Sequence, residues 1–248
     1  MKRFSIMAAL LVMAAPAFAQ DGETAAGPAV TEEVRVSSIK DPALRPYSHM
    51  VRGLDTWEEK RALAPNASLR FELRTADGKI AAPEGLQLRI AGDKVDIPLP
   101  IDAESTFALP RSQEALDDKA DLLLNRKKDQ FRWRPLVRSP GVPENARRLG
   151  DLRLECEVSV AVRKEEIPLL YRAGAVATGG LCNLPMVGYI YRSPKPLAKA
   201  TLVSGTRKAG LPLQPHGEGY TVPLRDKSWD NDTLVVYEFV APVAGTQP

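Results

Sequence analysis

Apolar and polar residues alternate in short runs along most of this chain, and proline and glycine separate the runs. The longest run is Leu152 to Val162. There Leu152, Leu154, Cys156, Val158, Val160 and Val162 fall on one face, and Arg153, Glu155, Glu157 and Ser159 on the other. Alternation with period two predicts a half-buried strand. Leu69-Phe71-Leu73, Leu86-Leu88-Ile90 and Leu234 to Val240 predict shorter strands of the same kind. Helical signals are few. Thr56-x-x-Glu59 reads as a capping box that opens a helix through Leu63, with Pro65 as its stop. Ser112 reads as the cap of a short helical turn through Leu116. The pattern predicts an all-β chain.

The punctuation repeats at an offset of roughly half the chain. Ile97-Pro98-Leu99 matches Leu211-Pro212-Leu213, and Phe107-Ala108-Leu109-Pro110 matches Tyr220-Thr221-Val222-Pro223. Leu116-Asp117-Asp118 matches Trp229-Asp230-Asn231, and Leu122-Leu123-Leu124 matches Val235-Val236-Tyr237. The expected architecture is two tandem β-sandwich domains, immunoglobulin-like or prealbumin-like, produced by internal duplication. The expected boundaries are 31–138 and 151–241, joined by a linker at 139–150 rich in Pro and Gly.

The N-terminus adds a compartment. Lys2 and Arg3 precede an apolar stretch from Ile6 to Ala15, and Ala17-Phe18-Ala19 forms an A-x-A cleavage site. Residues 1–19 therefore read as a secretory signal peptide, too short to span a bilayer. Residues 20–30 and 242–248 lack periodicity and read as a disordered leader and tail. The expected location is periplasmic or secreted, with no transmembrane segment in the mature chain. The formal charge is +3, from 34 basic and 31 acidic residues. Loss of Lys2 and Arg3 leaves about +1, which argues against a nucleic-acid partner. The two cysteines, Cys156 and Cys182, in an oxidising compartment read as one disulfide.

Candidate chemistry is sparse. The chain has no G-x-S-x-G, H-E-x-x-H, P-loop or G-x-G-x-x-G motif, and nothing points to a metal or another cofactor. Its two histidines are the enzyme candidates: His49, and His216 with Glu218 close by as a possible carboxylate. Asp117, Asp118 and Asp121, and Asp226, Asp230 and Asp232, are carboxylate groups without the ligand spacing of a calcium loop, and solvated turns and helix caps account for them. The most distinctive surface feature is Arg126 to Arg138. On a strand, Phe131, Trp133 and Val137 would share one face, and Arg132, Arg134 and Arg138 the other. Arginines at i and i+2 sit about 6–7 Å apart, and their guanidinium forks suit phosphate or carboxylate. These three residues are the candidate anion-binding edge, for an envelope protein or an anionic glycan or lipid surface. The competing account is that they pair with surface acids.

About 50 residues also resemble the first domain of periplasmic pilus chaperones. The resemblance lies in Leu88-Arg89-Ile90, Leu99-Pro100, Asp102 to Phe107 (DAESTF), and Phe131 to Pro135 (FRWRP). Ala103 stands where that family has arginine, and the family's N-terminal arginine strand and N-P-T-P segment are not found. The resemblance implies two immunoglobulin-like domains and binding by β-strand augmentation. Three functions are therefore expected, in this order: a non-catalytic binding or interaction protein of the cell envelope, a hydrolase with a non-standard site near His216 or His49, and a pilus-type chaperone.

Overall fold

The computed structural model describes residues 40–184 and 189–241. The expected signal peptide, leader and tail lie outside them. The chain is mostly β-strand, arranged in several antiparallel sheets with few helices.

Strand β1 (Pro42–Pro46) runs directly into helix α1 (Tyr47–Glu59). The Pro46 backbone is extended, at φ −52° and ψ 127°, which ends the strand where the helix begins. Tyr47, Met50, Val51 and Leu54 form the buried stripe of α1 at helical spacing. The expected helix at Thr56 is therefore misplaced. Thr56 to Glu59 close α1 rather than open it, and the Thr56 carbonyl accepts the Lys60 N–H at 2.9 Å. The stripe that starts at Tyr47 decides the boundary. Then follow β2 (Ser68–Thr75), β3 (Leu88–Ala91), β4 (Asp96–Leu99) and β5 (Thr106–Phe107). Helix α2 (Gln113–Asp117) starts where expected, with Ser112 Oγ accepting the Ala115 N–H at 3.1 Å. Strands β6 (Asp121–Lys127) and β7 (Phe131–Arg138) complete the first half.

The second half opens in the same way. Strand β8 (Ala146–Arg148) runs into helix α3 (Leu149–Val162), so the stretch expected as a linker holds a strand and the first turn of a helix. After α4 (Leu169–Ala177) come β9 (Ile190–Arg192), β10 (Leu197–Ser204), β11 (Arg207–Gly210), β12 (Gly219–Thr221) and β13 (Leu234–Phe239).

One sheet has the order β1-β6-β3-β4 and another β8-β13-β10-β11. Leu88 faces Leu124 and Ile90 faces Leu122 in the first; Ala200 faces Tyr237 and Leu202 faces Val235 in the second. Two smaller sheets accompany them, β5-β2-β7 and β12-β9, in which Phe71 faces Phe107 and Tyr191 faces Tyr220. At the start of α1 and of α3 an N–H reaches the residue preceding a strand of the adjoining sheet: Tyr47 to the Ala120 carbonyl at 2.9 Å, and Leu149 to the Thr233 carbonyl at 2.8 Å.

The run from Leu152 to Val162 is helix α3, not a strand. Two apolar stripes cause the alternation. Leu154, Val158 and Val162 belong to the core of the first half. Leu149, Leu152 and Cys156 belong to the core of the second, with Val160 packed against it. Positions two apart on a helix point about 200° apart, so a helix buried on both sides interleaves its stripes into a false period of two. Most polar residues between them are buried as well, Glu157 being half-buried. Arg153 donates to the carbonyls of Leu224, Asp226 and Trp229 and to Asn231 Oδ1, at 2.7–2.9 Å. Asp151 accepts from Ser139 N–H and Oγ, at 2.8 and 2.6 Å. Glu155 pairs with Arg147 and takes the Val137 N–H at 2.8 Å. Burial pushes the Glu155 carboxyl pKa up, and Arg147 opposes that shift. Burial also works against the Arg147 charge, but Glu155 outweighs it and raises the guanidinium pKa.

Cys156 and Cys182 are joined, with Cα atoms 6.0 Å apart, so α3 is tied to the turn at Leu181–Asn183. Among the described residues no helix is long and apolar enough to cross a membrane.

Candidate functional site

The described residues form a groove of about 810 Å³. Phe131 to Arg134 of β7 form one wall, and Ala43 to Pro46 of β1, Arg163 beyond α3, and Tyr189 to Arg192 lie around it. Its charge is strongly one-sided. Arg45, Arg74, Lys128, Arg132, Arg134, Arg163 and Arg192 line it, against the carboxylates of Asp129 and Glu166.

Several of these cations are already paired. Glu166 accepts from Arg45 at 2.7 Å and from Arg163 at 2.8 Å. Burial works against the Glu166 carboxylate, but Arg163 and Arg45 outweigh it and hold its pKa below the ordinary value. Arg74 is buried against Glu72, and Arg192 meets Glu218 at 2.7 Å. Lys128, Arg132 and Arg134 have no carboxylate partner among the described residues. Arg132 Nη1 reaches only the carbonyls of Asp129 and Phe131, both at 3.2 Å, and Arg134 Nη1 only the Ile190 carbonyl at 3.4 Å. Such long bonds to neutral acceptors hold a guanidinium weakly.

The aromatic floor has its own anchors. Trp133 meets the Phe107 ring edge-on at 6.0 Å. Tyr189 begins a chain of rings through Tyr191, Tyr220 and Tyr237, with successive centroids 4.8, 5.8 and 5.3 Å apart. Burial raises the pKa of the Tyr189 phenol, with Ser159 opposing that shift.

Arg132 and Arg134 share the groove, but Arg138 does not. Arg138 is half-buried at the far end of β7, where burial lowers its pKa and Arg147 lowers it further. Along that strand Arg132 is exposed while Arg134 and Arg138 are half-buried, so alternation on it does not make a uniform exposed edge. Sequence reasoning also missed Arg45, Arg163, Arg192 and Tyr189, which come from three other segments and carry no local motif.

Neither histidine hydrogen-bonds a carboxylate among the described residues, although Asp121 is near enough to His49 for His49 to oppose the rise that burial causes in the Asp121 pKa. His49 projects from α1 into the groove wall, with Nε2 3.7 Å from Glu165 Oε2. Glu165 is engaged by Arg52, whose hydrogen bond holds its pKa down to about 2. His216 sits in the turn Pro215–Gly217 at φ +57°, and Glu218 is turned to Arg192 instead. Several of the aspartates serve backbone N–H groups, while Asp117 accepts from Gln113 Nε2 and Asp232 pairs with Arg148. Asp118 Oδ2 accepts from the N–H groups of Lys94 and Val95, and Asp230 Oδ1 from those of Asp232 and Thr233. Among the described residues no three potential ligands converge to hold a metal ion.

Comparison with known protein families, with curated proteins and with solved structures gives no match to this chain.

Proposed function

We propose that this chain is an exported, non-catalytic binding protein of the cell envelope, and that the arginine-lined groove takes an anionic partner. The carrying observation is that Lys128, Arg132 and Arg134 line the groove with no carboxylate partner among the described residues. A cluster of cations that the fold does not neutralise raises the local concentration of an anion. The leader pattern at residues 1–19 and the Cys156–Cys182 bridge support export.

We also read 31–138 and 151–241 as tandem β-sandwich units made by duplication. The shared strand order, the matched registers and the strand-into-helix opening of each half support this. Helix α3 then completes both cores.

The test uses the mature chain and an Arg132→Ala/Arg134→Ala variant, measured for retention on vesicles containing anionic lipid and on immobilised polygalacturonate. Wild type should be retained on one of the two at 50 mM salt and released at 500 mM, since exposed charge interactions are screened over about 10 Å at 0.1 M and less above it. The variant should lose retention and keep its melting temperature. Equal retention of wild type and variant would remove the reading.

A further inference from the structure

The groove runs beside two open sheet edges. Strand β7 ends the sheet β5-β2-β7, and β1 ends the sheet β1-β6-β3-β4. Register shows which backbone groups face outward. Glu72 pairs with Arg134 and Arg74 with Arg132, while the neighbouring Leu73 and Thr75 turn their N–H groups the other way, to the carbonyls of Ser105 and Lys79. Alternation along an antiparallel strand then points the backbone groups of Phe131, Trp133 and Pro135 away from β2. Val137 confirms the direction, since its N–H goes to Glu155 and its carbonyl takes Arg147. The edge is therefore capped at Val137. Among the described residues the Trp133 backbone groups have no partner, and the Phe131 carbonyl takes only Arg132 Nη1, at 3.2 Å.

We propose that this edge takes an extended acidic polypeptide strand from a partner protein, paired antiparallel to β7 with its carboxylates on Arg132 and Arg134. The inference rests on the groove being the binding site. Unpaired strand edges are templates for a further strand, with main-chain bonds giving affinity and side chains giving selection. Arg132 and Arg134 use their own backbone groups on β2, so towards an added strand they sit at non-hydrogen-bonded positions. Facing Cα atoms there approach to about 4.5 Å and side chains meet most closely. Their spacing along β7 is about 6–7 Å, which matches carboxylates at alternate residues of the incoming strand. The residues between would bond their N–H and carbonyl groups to Trp133 and place their side chains on the aromatic side, beside Phe131 and Trp133. A partner of pattern acid-apolar-acid satisfies the charge, the edge and the aromatic wall together. Unpaired cations beside the edge repel basic strands and give neutral ones no charge partner, which gives selectivity.

The experiment measures fluorescence anisotropy of three labelled heptapeptides with the mature chain. The first alternates glutamate with valine. The second has the same composition with its glutamates in one block. The third is the first with its valines N-methylated, which removes the N–H groups needed by Trp133. The alternating peptide should bind at least 10-fold more tightly than either other peptide. Arg132→Ala/Arg134→Ala should weaken it at least 10-fold, and peptide should slow hydrogen exchange of the Trp133 amide. If all three peptides bind alike, the strand pairing is overturned and only an electrostatic groove remains. If the peptides fail and polygalacturonate binds in an arginine-dependent way, the peptide occupant is overturned while the groove reading stands. If no anionic probe binds, both fall.

Discussion

Replacing Arg153 with methionine keeps the aliphatic stem in place and removes the guanidinium. The side chain is only 5% exposed, and its four hydrogen bonds tie α3 to the segment from Leu224 to Asn231. Leu224 and Trp229 are themselves buried, so their carbonyls lose a partner that water does not readily replace. Each stranded acceptor costs about 1–3 kcal/mol. The Asp226 carbonyl and the Asn231 amide are more open, and losing those bonds costs nearer 0.5–1.5 kcal/mol each. Part returns, because burying the guanidinium is itself unfavourable. Burial lowers the Arg153 pKa, with Asp226 and Asp230 opposing. The net expectation is a loss of about 3–4 kcal/mol, a large share of the 5–15 kcal/mol typical of a folded domain. For a chain of this size, with a urea slope of about 2–3 kcal/mol/M, the unfolding midpoint should fall by about 1–2 M. Amides from 224 to 231 should exchange faster below the transition. Arg111→Ala serves as the control. Its side chain is exposed and pairs with Asp55 and Glu58 at 2.7 and 3.0 Å, so it should cost under about 1 kcal/mol. A loss at Arg153 no larger than at Arg111 would refute the view that this buried network holds α3 in place.

Other consequences are equally direct. Cys156→Ala/Cys182→Ala opens a loop whose ends are 26 residues apart, and loss of the chain-entropy restraint should lower stability by about 3–4 kcal/mol in calorimetry; an unchanged melting temperature under reductant would contradict this. A Cβ on Gly53 would lie 2.6 Å from Val162 Cγ2, so Gly53→Ala should destabilise by about 1–3 kcal/mol despite better helix propensity, and Val162→Ala should relieve the clash. Failure of that rescue in a double-mutant cycle would place the strain elsewhere. Arg52 holds the Glu165 pKa down to about 2 in the folded chain. The depressed value makes its contribution present above the usual pKa of about 4.3, and lost as pH falls towards 2. With Glu165 half-exposed the amount is under about 1 kcal/mol, and Glu165→Gln should flatten that part of the stability profile between pH 4.5 and 2.

Local chemistry carried much of the outcome. An oxidising-compartment pattern and an even cysteine count sufficed for the Cys156–Cys182 bridge, and Ser112 caps α2 because capping involves only neighbours in sequence. Strand β13 follows from alternation because it buries one face, whereas β2 keeps the alternation although Glu72 and Arg74 are buried on its other face as an ion pair. The same rule failed at α3, where the helix is buried on both sides and its two stripes interleave. Period alone does not distinguish that from a strand; only the partners on each side do. At the groove, the alternation of Arg132 and Arg134 with Phe131 and Trp133 was legible along the chain, as a property of one strand. That Arg138 is withdrawn, and that Arg45, Arg163, Arg192 and Tyr189 join them, was decided by tertiary structure. Charge excess in a groove depends on which residues distant in sequence arrive there and which carboxylates they bring, and packing determines both.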